Sequence, residues 1–424
     1  MIHKYKLNGF NIVIDVNSGG IHVVDDLFYI MLEDTQPPLT EHCPDNIIHK
    51  FKDEYNENDI KEVYAEIYTL VQADQLYSTD DYQKFANMMV KAPVKAMCLH
   101  IAHDCNLRCE YCFAGKGDYA EGKMMMSSEV GKKAIDYLIH HSVGRTNLEL
   151  DFFGGEPLMN FGVVKEIVLY ARSLEKEHKK NFRFTITTNG MLLDDDKIDF
   201  INKEMHNVVL SIDGRKEVND KVRARIDGTG CYDAIMPKFQ KLVQKRKKDD
   251  YYYVRGTFTK YNKDFVKDVE HLNSLGFDQI SVEPVMANKD MPYALTFEDL
   301  PDIFAEYEKL AKKLIKAREE KKGYNFFHFM LDMEQGPCAI KRLRGCGSGN
   351  EYVAITPDGD VYPCHQFVGH HEWKMGTVYD FSIDQELKEQ FAKATVYEKE
   401  DCKKCWAKFY CSGGCNANNM QYEG

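Results

Sequence analysis

The chain has 424 residues, 44% of them hydrophobic, and it exceeds the roughly 250 to 300 residues at which a single core stops growing, so we expect two or three domains. Its formal net charge of -12 disfavours sequence-independent binding to nucleic acid or to anionic membranes, so we expect neither partner. The start lacks the apolar core of a signal peptide and no apolar run reaches the roughly 18 residues of a membrane span, which favours a cytoplasmic protein.

The first 90 residues are predicted to form a small domain of strands and helices. Tyr5 to Val16 alternates apolar and polar residues as in a strand, Asn17 to Gly20 favours a tight turn, and a returning strand begins at Ile21. A helix follows whose apolar face carries Ile60, Val63, Tyr64, Ile67, Leu70 and Val71. Such a domain is either a packing accessory or a winged-helix-like module whose exposed strand edge pairs with an extended peptide.

Short apolar runs then alternate with amphipathic helices up to about Pro284, which is typical of βα units in a parallel sheet. Six strands are predicted, namely Val94–Ala102, Leu148–Phe153, Phe182–Thr188, Val208–Ile212, Tyr252–Thr257 and Gln279–Glu283. The helix after the first strand is predicted from Val130, Ala134, Ile135, Leu138 and Ile139. These units predict an α/β fold, a partial (β/α)6 barrel, with its chemistry at the carboxyl ends of the strands.

The first strand runs into three cysteines, Cys105, Cys109 and Cys112, within eight residues. Three thiolates hold three irons of a [4Fe-4S] cube and leave the fourth iron open to a ligand that is not protein. A zinc knuckle or a set of buried free thiols is the alternative for this spacing. Most of the thirteen cysteines cluster here or near the C-terminus, which indicates metal binding rather than disulfides.

The next three strands end in small polar residues. Strand two ends in Gly154-Gly155-Glu156-Pro157, where two glycines permit a close backbone approach and Glu156 offers an acceptor for a cationic ligand. Strand three ends in Thr187-Thr188-Asn189-Gly190, strand four ends in Ser211-Ile212-Asp213-Gly214, and Arg223 follows nearby. Together these residues predict one polar pocket beside the three thiols.

The C-terminal third begins with a predicted helix whose apolar face carries Ile303, Phe304, Tyr307, Leu310, Ala311, Leu314 and Ile315. Further on, Tyr352 to Thr356 and Val361-Tyr362 flank Pro357-Asp-Gly-Asp, which predicts a hairpin that presents Cys364. The cysteines of this region are Cys338, Cys346, Cys364, Cys402, Cys405, Cys411 and Cys415. Because Cys402 and Cys405 have the spacing of an ordinary zinc pair, both zinc and iron–sulfur sites stay open here.

The order of the first motifs resembles the radical S-adenosylmethionine (SAM) enzymes: Cys105, Cys109 and Cys112 with Tyr111, then Gly154 to Pro157, then Ser211 to Asp213. The resemblance implies that the three cysteines hold a [4Fe-4S] cluster whose open site binds S-adenosyl-L-methionine. It also implies that the loop of Gly154, Gly155, Glu156 and Pro157 holds the amino group of SAM, with Ser211 and Asp213 near the ribose. Thr188 and Arg223 are further candidates for the SAM site. Such enzymes take single electrons from a ferredoxin- or flavodoxin-type reductant.

The later cysteines, with Gly359, are similar in spacing to the SPASM extension of that superfamily. The similarity implies one or two auxiliary [4Fe-4S] clusters, the first on Cys346, Cys364 and Cys415 and the second on Cys402, Cys405 and Cys411. Cys338 is either a fourth ligand of the first cluster or a plain buried thiol. A further cysteine normally completes the second cluster, and none follows Cys415. Either a C-terminal tail is missing from this sequence, or that cluster is incomplete, incorrectly occupied or capped by another ligand.

The opening Ile2 to Gly9, the stretch Val13 to Gly19 and the closing Cys411 to Cys415 resemble the maturases of SCIFF (six-cysteine) precursor peptides. These enzymes make ranthipeptides, a group formerly placed among the sactipeptides. The resemblance implies thioether bonds between a cysteine sulfur and a side-chain carbon of an acceptor, often Thr, in a Cys-rich precursor peptide with a leader.

The domain order implied by this resemblance begins with a recognition element for ribosomally made, modified peptides (a RiPP recognition element) at residues 1–90. The radical SAM barrel follows at 91–295, a bridging helical region at 296–335 and the SPASM domain at 336–424. Two other functions remain open. One is a sulfatase-maturating enzyme that oxidises Cys or Ser to formylglycine, and the other is a zinc-stabilised peptide-binding adaptor without catalysis.

Overall fold

The structure is a computed structural model that describes residues 1–86, 88, 92–247, 250–331 and 338–422. Its contacts divide the chain into two units. The first unit comprises Met1–Lys91, Leu331–Cys346 and Ala392–Asn416, and the second comprises Ala92–Met330, Gly347–Phe391 and Ala417–Gly424. Within the described residues, no helix combines the length and the apolar composition that crossing a bilayer requires.

The secondary structure of the described residues follows, in chain order. The strands are β1 Ile2–Leu7, β2 Phe10–Asp15, β3 Ile21–Val24, β4 Ala96–His103, β5 Leu107–Cys109, β6 Met124–Met125, β7 Asn147–Gly154, β8 Asn181–Thr188, β9 Met205–Ser211, β10 Arg223–Arg225, β11 Tyr251–Phe258, β12 Gln279–Pro284, β13 Asn325–Phe326, β14 Tyr352–Ile355, β15 Asp360–Tyr362 and β16 Gly376–Thr377. The helices are α1 Asp26–Met31, α2 Asp45–Phe51, α3 Glu57–Gln72, α4 Gln83–Ala86, α5 Ser128–His141, α6 Phe161–His178, α7 Asp195–Glu204, α8 Lys216–Val222, α9 Tyr232–Lys245, α10 Val266–Ser274, α11 Leu300–Glu319, α12 Gln385–Lys393, α13 Glu400–Lys403, α14 Lys408–Cys411 and α15 Asn416–Tyr422.

The first unit contains an antiparallel sheet in the order β1-β2-β3. The prediction of one strand over Tyr5 to Val16 is wrong, because the chain reverses at Asn8 and Gly9 between β1 and β2. Both residues have positive φ, 50° and 82°, and Asn-Gly is the dipeptide that favours such two-residue hairpin turns. The Asn-Gly dipeptide is therefore a turn signal in the sequence. It was not used because apolar and polar residues continue to alternate on both sides of it.

Helices α1, α2 and α3 form the apolar core of the first unit together with Val13 of β2. The predicted apolar face of α3 is confirmed, since Ile60, Val63, Tyr64 and Ile67 are buried. The side chain of Asn56 caps α3 by accepting a hydrogen bond from the Asp59 amide, which satisfies one of the free donors at the helix start.

A mixed sheet forms the centre of the second unit. Its six parallel strands lie side by side in the order β4-β7-β8-β9-β11-β12, so the predicted βα units are confirmed with end shifts of a few residues. Each connection carries a helix, beginning with α5 between β4 and β7. Because the strands are parallel and successive, their carboxyl ends meet along one edge.

Beyond these six strands, the sheet is extended on both sides. The hairpin of β14 and β15 forms as predicted, and β14 also pairs in parallel with β4, which the sequence does not indicate. At the other side β13 pairs with β12. All eight residues of β4 are buried, because this strand has neighbours on both sides and covered faces.

The predicted apolar face of α11 is only partly correct. Ile303, Leu310 and Leu314 are buried, whereas Phe304 and Ile315 are each 60% exposed. A helix packed on one side buries a stripe narrower than the seven predicted residues span, so the flanking side chains face solvent.

We expect Phe152→Ala in β7 to lower the free energy of unfolding by about 3–5 kcal/mol, because Phe152 is fully buried and its loss leaves a cavity. The matched variant Phe304→Ala removes the same side chain from an exposed site and should change stability by less than about 0.5 kcal/mol. Urea unfolding followed by circular dichroism measures both. Equal losses in the two variants would contradict this description of the core.

Candidate active site

The three cysteines of the first motif lie on the loop that leaves the carboxyl end of β4. Cys109 is the last residue of β5, where it pairs with Arg223 of β10. The loop is closely packed, because a Cβ added to Gly117 would lie 2.7 Å from the Cβ of Cys105. Cys105, Cys109 and Cys112 are all half-buried residues.

The β4–β7 hydrogen-bond ladder continues past the two strands and reaches this loop. The amide of Gly155 donates to the carbonyl of Ala102 at 2.7 Å, and the amide of Glu156 donates to the carbonyl of Asp104 at 3.0 Å. A Cβ on Gly155 would lie 2.1 Å from that Asp104 oxygen. The close backbone approach expected from Gly154-Gly155 therefore occurs, and it holds Glu156 beside the cysteine loop.

The carboxylate of Glu156 is buried and accepts three hydrogen bonds. Its Oε1 accepts from the hydroxyl of Thr188 at 2.7 Å and from the amide of Leu158 at 3.0 Å, and its Oε2 accepts from the amide of Asn189 at 2.8 Å. Pro157 follows it in a short 3-10 turn. Burial raises the pKa of Glu156 to about 7, although these hydrogen bonds lower it. The predicted proximity of Thr188 to Glu156 is thus present in the structure.

Asn189, which the sequence places at the same rim but without a role, contacts the cysteine loop. Its Nδ2 donates to the sulfur of Cys105 at 3.6 Å and to Oδ1 of Asn106 at 2.8 Å. The amide of Leu107 donates to the same sulfur at 3.4 Å. Hydrogen bonds to a ligating sulfur tune a cluster's potential. The sequence signal for Asn189 is its position directly after β8, at the rim where the other polar residues lie.

Asp213 forms the second buried carboxylate of the site. The Tyr111 hydroxyl donates to both of its oxygens at 2.9 and 2.8 Å, Nε of Arg223 lies 3.0 Å from Oδ2, and the amide of Thr257 donates to Oδ1 at 2.9 Å. The guanidinium of Arg223 also lies 5.7 Å from the centre of the Tyr111 ring. Asp213 is fully buried, so its carboxylate contacts Tyr111, Arg223 and Thr257 rather than solvent. Ser211 ends β9 and is half-buried.

The chemistry of these donors fits an iron–sulfur cluster. Burial raises the pKa of Cys105 and Cys109 to about 12, so metal binding must displace their protons. Among the described residues, no three Cys, His, Asp or Glu side chains converge on a single-ion site. A cube binds each thiolate at a separate iron, so it does not require such convergence.

The later cysteines are divided between the two units. In the first unit, the amide of Cys405 donates to the carbonyl of Cys402 at 3.1 Å, and the amide of Lys408 donates to the carbonyl of Cys405 at 3.3 Å. These turns connect Cys402 and Cys405 to α14, the helix that ends at Cys411. The loops of Cys346 and Cys415 also approach, since a Cβ on Gly345 would lie 3.1 Å from the carbonyl oxygen of Gly414. Cys338 is exposed, and Cys364 is buried in the second unit after the β14–β15 hairpin.

Two domain families match the chain. Residues 99–283 match the radical SAM superfamily, and residues 346–406 match the SPASM iron-sulfur cluster-binding domain. The "Cysteine-type anaerobic sulfatase-maturating enzyme" of Clostridium perfringens strain 13 is 24% identical over 76% of this chain and 89% of its own length. The "Antilisterial bacteriocin subtilosin biosynthesis protein AlbA" of Bacillus subtilis strain 168 is 24% identical over 74% of this chain and 65% of its own length.

The solved structures that share this fold include two with bound S-adenosylmethionine. "Native anSMEcpe with bound AdoMet" has a TM-score of 0.66 at 19% identity and covers 78% of this chain and 91% of its own. Streptococcus suis SuiB bound to S-adenosylmethionine has a TM-score of 0.55 at 18% identity and covers 98% of this chain and 94% of its own. The chain therefore contains a radical SAM domain, whose cofactors are an iron–sulfur cluster and S-adenosylmethionine, followed by a SPASM domain for auxiliary iron–sulfur clusters.

Proposed function

We propose that this protein is a radical SAM peptide maturase of the SCIFF type. It joins a cysteine sulfur to a side-chain carbon, often of Thr, in a ribosomally made Cys-rich precursor peptide. The observation that carries the proposal is that the cysteine-bearing segment Ala392–Asn416 shares one unit with the N-terminal sheet. A relative named for bacteriocin biosynthesis supports a peptide substrate.

The N-terminal sheet supplies a site for the leader of that peptide. Strand β3 is at the edge of the β1-β2-β3 sheet, and its Val23 is 65% exposed. An edge strand presents unpaired backbone donors and acceptors that an extended peptide can extend by one strand. Residues 1–90 thus act as a winged-helix-like RiPP recognition element, which raises the local concentration of the core peptide.

Residues at the rim of the second unit hold the cofactors in this proposal. Cys105, Cys109 and Cys112 ligate the cluster, and Glu156 with the Gly154–Pro157 loop accepts the amino group of SAM. Thr188 orients Glu156 through the 2.7 Å hydrogen bond. When bound, the cofactors supply a 5'-deoxyadenosyl radical that removes a hydrogen atom from an unactivated carbon.

Asp213 and Arg223 position the cysteine loop from its other side in this proposal. Their ion pair holds Tyr111, which precedes the ligand Cys112. Ser211, at the end of β9, faces the ribose. A preorganised frame of buried, satisfied polar groups keeps the reacting groups aligned without reorganisation.

The proposed reaction is a two-electron oxidation of the peptide. A C–H bond and an S–H bond break and a C–S bond forms. One hydrogen leaves as an atom to the deoxyadenosyl radical, while the other leaves as a proton to solvent. An auxiliary cluster, which Cys346, Cys364 and Cys415 or Cys402, Cys405 and Cys411 would hold, would accept the remaining electron. A ferredoxin- or flavodoxin-type reductant supplies the electron that cleaves SAM.

A second candidate function is the oxidation of Cys or Ser to formylglycine. The similarity to a sulfatase-maturating enzyme over 89% of that relative favours it. Both reactions begin with the removal of a hydrogen atom from a side-chain carbon. That carbon belongs to the oxidised Cys or Ser in one reaction and to the thioether acceptor in the other. The N-terminal sheet favours peptide maturation, because formylglycine formation does not call for a leader-binding element.

Anaerobic incubation of the reconstituted enzyme with a SCIFF-type peptide, SAM and a reductant should lower the peptide mass by about two hydrogens for each cross-link. Each cross-link should also remove one thiol from alkylation. Cys109→Ala is the control and should give neither deoxyadenosine nor a mass change. Mass spectrometry of an unchanged peptide despite abundant deoxyadenosine would refute cross-linking, and a hydrazide-reactive aldehyde would identify formylglycine instead.

We expect Glu156→Gln to weaken SAM binding by about tenfold or more, since hydrogen bonds to a charged partner contribute about 1.5–3 kcal/mol. Because burial raises the pKa of Glu156 to about 7, SAM affinity in the parent should fall as pH decreases from 8 to 6, when the carboxylate gains a proton. Equilibrium dialysis measures both effects. The ratio of parent to variant affinity should shrink over this range.

The matched control is Glu149→Gln, which makes the same change in β7, the strand that leads into the Glu156 loop. Glu149 is exposed and lies near the amino end of β7. SAM affinity should stay at the parent value in this variant at every pH. Identical affinities and pH profiles for Glu156→Gln and the parent would remove Glu156 from the SAM site.

A further inference from the structure

Lys408 is a buried lysine between two candidate cluster ligands. It begins α14, the helix that ends at Cys411, and it follows Cys405 by three residues. Its side chain is only 3% exposed, and lysine is almost never buried this deeply unless it is paired. The ammonium donates to Oδ2 of Asp80 at 2.7 Å, a residue from the N-terminal segment.

Asp80 binds two side chains of the C-terminal segment at once. Its Oδ1 accepts a hydrogen bond from the hydroxyl of Tyr397, while its Oδ2 accepts from Lys408. Burial raises the pKa of Asp80, but the hydrogen bonds from Lys408 and Tyr397 outweigh it and hold the pKa below its ordinary value. The carboxylate is therefore ionised at neutral pH and balances the buried ammonium.

Apolar contacts surround this ion pair. Phe409, the residue after Lys408, packs in a buried cluster with Val16, Leu343 and Val396. The ring of Tyr82 meets Phe409 edge-on at 5.5 Å. The Lys408 side chain is buried, whereas that of Asp80 is 27% exposed, so removing Asp80 leaves an uncompensated ammonium among apolar groups.

We propose that Asp80 is a positioning residue for an auxiliary cluster at Cys402, Cys405 and Cys411. Helix α14 has only four residues, too few to be stable without outside contacts. The contact with Asp80 fixes its first residue, and the helix in turn fixes Cys411 relative to Cys405. The N-terminal segment thus has a second role, as a structural part of a metal site, which rests on the cluster assignment above but not on the peptide chemistry.

The test is Asp80→Asn in the full-length, anaerobically reconstituted protein. Iron and acid-labile sulfide should fall by the share of one cluster, and one auxiliary-cluster signal should disappear from the electron paramagnetic resonance spectrum of the reduced protein. The signal that changes on adding SAM should remain, which shows that the second unit is intact. Full iron content with an unchanged spectrum would overturn the proposal.

Four further variants make the result specific. Cys405→Ala removes a candidate ligand, so its iron content shows the loss expected when the whole cluster is absent. If this variant keeps all its iron, the cluster assignment is wrong and the proposal for Asp80 is wrong with it. Asp80→Glu should recover most of the iron, because it keeps the charge. Tyr397→Phe removes a single hydrogen bond from Asp80 and should cause a partial loss, so it tests the proposal even if Asp80→Asn does not fold. Parent-level iron in Tyr397→Phe, with Asp80→Asn unfolded, would count against it.

Asp26→Asn is the matched control for the Asp80 variants. It breaks the Lys6–Asp26 ion pair of the same unit, whose side chains are 60% and 70% exposed, and exposed pairs contribute little. Iron content and spectrum should match the parent. A loss as large as that of Asp80→Asn would mean that any change in this unit releases the cluster, which would also overturn the proposal.

Discussion

The site depends on the continuation of one hydrogen-bond ladder beyond the ends of its strands. The amides of Gly155 and Glu156 donate to the carbonyls of Ala102 and Asp104, so the cysteine loop and the Glu156 loop leave the sheet as a joined pair. Only glycine fits at position 155, because any side chain would collide with the Asp104 carbonyl. This constraint sets the distance between the cluster ligands and the residue proposed to hold SAM.

Two buried carboxylates organise the rest of the rim in different ways. Glu156 is surrounded by neutral donors from β8 and its own loop, and burial therefore raises its pKa. Asp213 is paired with the cation Arg223 and with Tyr111, so its charge is balanced within the protein. The first arrangement leaves a carboxylate suited to a cationic group, whereas the second fixes the cysteine loop.

The first unit combines segments that are far apart in the chain. Val16, Leu343, Val396 and Phe409 come from three of them and form one apolar cluster, and Asp80 pairs with the buried Lys408 in the same region. The N-terminal segment and the cysteine-bearing segment share this cluster, so they respond to the same packing forces. This arrangement gives the N-terminal element a structural purpose in addition to its proposed role in holding a leader.

The sequence by itself determined the six βα units, because apolar periodicity and turn residues are local signals. It also identified Cys105, Cys109, Cys112 and the Gly154–Pro157 loop as neighbours, since successive parallel strands end at one edge. Only the tertiary structure decided that Asn189 reaches the Cys105 sulfur, that Asp213 pairs with Arg223 and that Asp80 neutralises Lys408. These contacts join residues far apart in the chain, and local patterns carry no information about which distant polar groups burial will bring together.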